Sequence, residues 1–267
     1  MSRMQREERA PVARYRWLAA WRDRVLLPLV GILLVAIVWQ AVVMLYRLPL
    51  VVLPEPWAVV RTLAGLLPTV AFWRDVGVSL YEFAAGYATG VVLGVAVGLL
   101  LGESRTFRLT ASPVIEALRF IVPFAWIPLT VLWFGTSYTG KIVLVAYAVF
   151  FVMTVSTTRS IMQVDPTLTR IGTMLGMGRM ALALFVHLRA AAPAIASAAR
   201  AAAAVGWIAV VAAEYIGASA GLGVMITNAA TSLQTPTVIA GMIAMGLIGA
   251  TVSAVVGWLA RTRLDYR

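Results

Sequence analysis

Residues 79–102 read SLYEFAAGYATGVVLGVAVGLLLG, and this stretch decides the fold. Glu82 is its one charged residue. A bilayer core about 30 Å thick needs roughly 20 helical residues, each rising about 1.5 Å. The run is long enough, and we place a span at 79–101. Gly86, Gly90, Gly94, Gly98 and Gly102 fall at every fourth position. With 3.6 residues per turn, successive glycines sit about 40° apart around the helix. They form one smooth, slowly winding stripe. Lipid supplies no hydrophobic drive between helices, so overlapping small-residue pairs of this kind let backbones approach closely instead. Generic close packing and a bundle that shifts as a unit both fit the stripe. Ala198–Ala204 with Gly206 offer a second smooth surface.

The rest of the chain agrees with a membrane reading. Of 267 residues, 61% are hydrophobic and 12% charged, with mean hydropathy +0.90. Soluble domains average about 45–50% apolar and about 25% charged, so an ordinary soluble domain and a disordered chain are both excluded. Further apolar runs lie at 25–45, 140–161, 190–217 and 238–260. A sixth, 109–135, is interrupted by Pro113, Pro123 and Pro128. Proline frees backbone groups that lipid cannot satisfy, so this segment is expected inside a bundle or along a cavity. The first run is too long for a cleavable signal peptide and lacks a small-residue cleavage site. The expected architecture is all-α: a basic tail over 1–24, then one polytopic domain of about six spans over 25–267.

Lys and Arg number 22 against 11 Asp and Glu, giving +11. In a soluble chain that balance suggests nucleic acid; here the cations cluster between spans, and no nucleic-acid partner is expected. The tail holds Arg3, Arg6, Arg9, Arg14, Arg16, Arg22 and Arg24. Arg105, Arg108, Arg159, Arg170, Arg179 and Arg189 fall in loops on the same side, followed by Arg261, Arg263 and Arg267. The other side has Arg47, Arg61 and Arg74, with Lys141 at a span edge. Positive charge favours the cytoplasmic face, so both termini are expected there, although the tail also suits contact with lipid. Pro54 and Pro56 stop the first helix, and Trp57, Val60, Leu63, Leu66 and Leu67 recur near helical spacing. A short interfacial helix within 54–74 follows, with Trp57 at headgroup depth.

Chemistry-bearing motifs are few. The chain has no cysteine and one histidine, His187, so neither a thiolate nor a histidine-rich metal site is expected. Gly135 to Lys141 match the first seven positions of a phosphate-binding loop. Ile142 then stands where a hydroxyl should hold Mg²⁺, and spans flank both sides. No catalytic residue is expected. Within the spans, Glu82, Glu116, Arg119 and Glu214 are among the ionisable residues, and such groups usually face a bundle interior or water. Glu116 and Arg119 share a helix face and can pair. Glu82 reads as reaching outward to water. Glu214 reads as lining an outer vestibule or capping a neighbouring helix. Trp126, Trp133, Trp207 and Glu214 are candidates to line a pathway.

The loop over 165–178 is the most informative extramembrane segment. Asp165 followed by Pro166 is a helix-start signal. Met174 and Leu175 are apolar outside any span, and Gly176 and Gly178 should end the helix. A short exposed helix bounded at both ends and carrying apolar residues is suited to docking on a partner. The same residues also suit a helix lying on lipid.

With this segment the chain resembles the permease subunits of binding-protein-dependent ABC importers, in the branch handling nitrate, taurine, aliphatic sulfonates and similar solutes. The similarity runs from about Leu53 to the C-terminus. It is carried by Leu53-Pro54 with Pro56, Ser79-Leu80, Gly86-Tyr87, Ile127-Pro128-Leu129, Trp133-Phe134-Gly135, Lys141-Ile142, Val164-Asp165-Pro166, Trp207, Ala213-Glu214 and Gly221-Leu222-Gly223. The family's cytoplasmic motif is Glu-Ala-Ala, three residues, Gly, nine residues, then Ile-x-Leu-Pro. Aligned on Gly176, it puts Arg170, Ile171 and Gly172 at Glu-Ala-Ala, and Val186 to Arg189 at Ile-x-Leu-Pro, with Pro193 matching a later proline. The usual acid is thus a cation, Arg170.

The resemblance implies the type I ABC importer permease fold in a bacterial cell membrane. It implies a second copy of the chain, and an ATPase-coupling helix carrying Asp165, Pro166, Arg170, Gly172, Met174, Leu175, Gly176 and Met177. It implies two partner ATPase subunits that bind ATP and Mg²⁺, an extracytoplasmic solute-binding protein, surrounding membrane lipid, and no cofactor on this chain. The competing class is an ion- or proton-coupled secondary transporter. It needs a working carboxylate near the midplane, where only Glu116 comes close.

Overall fold

The computed structural model describes residues 26–47, 49–215 and 220–262. The basic tail lies outside the described residues, as do Arg263 and Arg267. Helix α1 is Leu27–Tyr46, α2 is Pro56–Leu66, α3 is Val70–Glu103 and α4 is Arg105–Arg119. A 3₁₀ turn at Pro123–Trp126 leads into α5, Ile127–Phe134. Then come α6, Tyr138–Met162, and α7, Pro166–Met174. A helical turn at Arg179–Ala181 and a π-helical turn at Leu182–His187 feed α8, Leu188–Tyr215. Helices α9, Leu222–Thr231, and α10, Thr235–Thr262, complete the bundle.

The glycine stripe of α3 meets α6. A Cβ on Gly86 would lie 2.5 Å from Cβ of Val145, on Gly94 2.5 Å from that of Met153, and on Gly98 2.6 Å from that of Thr157. Gly90 and Gly102 face Val149 and Ile161 in the same way. Partners recur every four residues on both helices in ascending order, so α3 and α6 run parallel with their backbones nearly touching. Fully buried Val145, Val149 and Met153 fill the space the glycines leave. Around this seam Phe83 stacks on Tyr87 with 5.2 Å between rings, and Trp207 of α8 meets Phe83 edge-on at 5.8 Å.

Carried one step outward, the same register places Glu82 opposite Lys141, and the two form a buried ion pair at 2.6 Å. This corrects two expectations. Glu82 is wholly enclosed rather than reaching outward, and Lys141 is a buried partner rather than an edge cation. It also removes Lys141 from any phosphate-binding role.

The proline-rich segment expected as one span over 109–135 is a broken pair, α4 and the Pro123–Phe134 unit, bent by 86°. Pro113 sits inside α4 without breaking it; the chain turns at 120–122, just before Pro123. The span expected at 79–101 begins earlier, at Val70, and absorbs the end of the predicted outer segment. Only α2 remains as the separate short helix, with Trp57 exposed. Among the described residues no ion pair joins Glu116 to Arg119, contrary to the pairing their spacing allowed.

Candidate functional site: an exposed helix braced on the bundle

Helix α7 begins and ends as its residues dictate. The Asp165 carboxylate accepts the Thr167 backbone N–H at 2.8 Å, and Pro166 occupies the first turn, where no N–H is needed. At the other end the N–H of Met177 donates to the Gly172 carbonyl, and that of Gly176 to Thr173, each at 3.0 Å. This is a Schellman closure, and Gly176 takes the left-handed conformation it requires, with φ of 77°. Gly172 is buried against Leu182 of the π-helical turn, so that a Cβ there would make the Leu182 side chain shift, and Met177 sulfur lies close by.

That cap is pH-dependent. The Thr167 backbone N–H holds the Asp165 carboxyl below its ordinary value. A depressed folded pKa means the stabilisation is present above the unfolded value and is lost as pH falls through the folded one. We expect D165A to speed amide exchange at Thr167 in α7 at neutral pH. D165N, which keeps a capping oxygen, should exchange like the natural chain. Equal protection in D165A would show that the cap does not hold the helix.

A second contact fixes where α7 points. His187 bridges Thr169 of α7, 2.9 Å from its Nε2, and Glu103 at the end of α3, bonded to its Nδ1. A carboxylate accepts, so Nδ1 carries the proton toward Glu103. The sole histidine thus ties α7 to the helix bearing the glycine stripe. Sequence reasoning missed this role, although His187 occupies the variable position of the Ile-x-Leu-Pro region.

The opposite side of α7 is bare. Leu168, Ile171, Met174 and Leu175 follow one another at helical spacing, and they are 41, 49, 86 and 77% exposed. Arg170 is exposed beside them. It lines, with Glu103, Thr169, Thr173 and His187, a groove of about 380 Å³.

The four pathway candidates are not brought together. Trp207 is buried, and its Nε1 donates to the Met245 carbonyl at 3.1 Å. Trp126 is half-buried with its ring against Tyr147, and Trp133 is exposed next to Phe134. Glu214 is buried as a cap in trans for α9, one of the two roles its position suggested. Its Oε2 accepts the Gly223 N–H at 2.7 Å, while Ser79 donates to its Oε1 and accepts the Leu222 N–H at 3.0 Å. Asp75 takes the Gly221 N–H at 3.3 Å. The N–H groups of Gly221, Leu222 and Gly223 at the start of α9 are therefore satisfied from α3 and α8. Gly221, with φ of 132°, is the residue that lets the Glu214 carboxylate approach.

Known proteins share this architecture and sequence. The family described as binding-protein-dependent transport system inner membrane component matches residues 90–263. The taurine transport system permease protein TauC of Escherichia coli (strain K12) is 33% identical over 216 residues, covering 79% of this chain and 78% of the relative. SsuC of Bacillus subtilis (strain 168), named for aliphatic sulfonates transport, is 32% identical over 247 residues, covering 92% of this chain and 88% of the relative. Among solved structures, a chain of the inward-facing MetNI methionine ABC transporter superposes with a TM-score of 0.61 at 19% identity, covering 78% of this chain and 97% of that one. The type I importer permease fold, the homologous permeases and the apolar helices favour the importer over an ion-coupled carrier. The chain belongs to the family of binding-protein-dependent transport system inner membrane components, as a multi-pass permease subunit of an ABC importer.

Proposed function

We propose that two copies of the chain form the translocation pathway of an ATP-driven importer, and that α7 of each copy seats in a cleft on a cytoplasmic ATPase subunit. The observation that carries this reading is the bare stripe Leu168–Ile171–Met174–Leu175 on a helix capped at both ends and braced through His187. A rigid lever needs such a brace, and a docking face needs such exposed apolar anchors. Arg105, Arg108, Arg159, Arg170, Arg179 and Arg189 gather at the end of the bundle that bears α7, which supports a cytoplasmic assignment for that end. ATP and Mg²⁺ belong to the partner, so ATP hydrolysis is not this chain's chemistry. At the opposite end, α2 and residues 220–236 form the surface for an extracytoplasmic solute-binding protein. The solute is small, with the taurine and aliphatic sulfonates of the two relatives' names as first candidates.

The test is affinity capture of the tagged chain from membranes, with mass spectrometry and an ATPase assay. The reading expects a soluble ATPase and a second, differently tagged copy of the chain in the same particle. An ATPase-free oligomer that moves solute on an ion gradient would overturn it.

A further inference from the structure

We infer that the cavity between the end of α4 and the middle of α6 is a subsite for a small oxyanion, a sulfonate or carboxylate group, with Arg119 as the residue that recognises it. This rests on the importer reading and adds the charge of the solute and the residue that selects it.

The cavity holds about 370 Å³ and is lined by Arg119, Phe120, Tyr147, Phe151, Ser156 and Val205 among others. That volume falls in the range of about 300–1,000 Å³ typical of small-ligand sites. With about 1.5 Å of rise per residue, Tyr147 and Ser156 lie about 14 Å and about 27 Å along α6 from its Tyr138 end. The cavity therefore sits from mid-depth toward the α7 side. Arg119 ends α4 at the 86° break, and its surroundings are pinned. The Tyr147 hydroxyl bonds to the carbonyls of Leu118 at 2.6 Å and Ile121 at 3.1 Å, either side of it.

The guanidinium itself is uncommitted. It lies over the Phe120 ring at 5.0 Å, and among the described residues it has neither an ion pair nor a hydrogen bond. Glu116, one turn away, does not engage it. An arginine stays charged, and at membrane mid-depth that is costly unless water or a partner meets it. Its planar fork matches the paired oxygens of a sulfonate or carboxylate. The Phe120 and Phe151 rings and Val205 supply an apolar wall for a short carbon chain. An exposed, unpaired guanidinium on a braced backbone, beside an apolar wall, is the arrangement a small amphiphilic anion requires.

The natural chain has no cysteine, which gives a direct test. Ser156→Cys in the full-length chain, kept in its membrane, is treated with anionic sulfonatoethyl methanethiosulfonate and with its cationic trimethylammonioethyl counterpart. A charge-lined cleft raises the local concentration of its counter-ion by about tenfold or more. The ratio of anionic to cationic rates is therefore expected to fall by about tenfold on adding R119Q, and to persist with R119K. In the arginine-containing protein, ethanesulfonate but not ethyltrimethylammonium should slow modification by an uncharged reagent, a readout needing no Arg119 variant. A ratio unmoved by R119Q, a cysteine inert to both reagents, or equal protection by both ions would overturn the inference. None of these readouts involves ATP or a partner, so they fail separately from the importer reading, which the capture experiment judges.

Discussion

Replacing Met174 and Leu175 together with aspartate is expected to leave the protomer folded and to abolish its hold on the ATPase. Both side chains are more than three-quarters exposed, so neither supports the bundle. Apolar anchors at the centre of an interface cost about 2 kcal/mol or more each when removed. Two of them amount to about 4 kcal/mol, roughly a thousandfold in Kd. Titrating purified ATPase against nanodisc-embedded permease measures the change, with thermal melting as the control for folding. Unchanged affinity would place the docking surface elsewhere, and the groove lined by Arg170 and Glu103 would be the next site to test.

A second large effect belongs to the α3–α6 seam. A Cβ at Gly94 would stand 2.5 Å from Cβ of Met153 and 2.9 Å from the Phe150 carbonyl oxygen. The backbone oxygen cannot turn away, so the helices must separate. Overpacking of this kind costs about 1–3 kcal/mol for modest additions, and that is the expectation for G94A. G94L places a branched side chain at the point of closest approach and should remove the folded protomer from detergent extracts. Gly77 lies on the same helix with open space around its Cβ position. G77L should therefore melt like the natural chain. If G94L and G77L melt alike, the seam is not the contact that holds the bundle together.

What the sequence disclosed, and what it withheld, follows from the range of each interaction. Span lengths are local, and the apolar runs over 140–161 and 238–260 correspond closely to α6 and α10. Asp165-Pro166 and Gly176 likewise delimit α7 by local backbone chemistry. The start of α3 was harder to read because Arg74 and Asp75 interrupt its first turns. Asp75 is in fact spent on the Gly221 N–H, across 146 residues. The site of the break in 109–135 depended on tertiary support. Pro113 is absorbed within α4, while Tyr147 of α6 holds the turn ahead of Pro123.

The Glu82–Lys141 pair shows a signal that was present but needed a partner to decode. The glycine stripe announces a close neighbour without saying which helix it is. Only α6 carries Val145, Val149, Met153, Thr157 and Ile161 at the same four-residue spacing, and both ladders ascend together. Once those ladders are paired, one further step joins Glu82 to Lys141 at the same 59-residue separation. A lone buried Glu would be costly, and its removal from water is offset by this cation. The His187 bridge had no comparable signal, because it depends on a π-helical turn that brings three separate elements to one imidazole.

This permease is expected to move solute only when an ATPase drives it through α7. The most direct measurement is uptake of labelled taurine or ethanesulfonate into proteoliposomes holding the captured permease–ATPase particle, with the solute-binding protein outside and ATP inside. Accumulation is expected to require ATP, to ignore proton and sodium gradients, and to vanish with M174D/L175D. Uptake driven by an ion gradient without ATP, or undiminished in that variant, would contradict it.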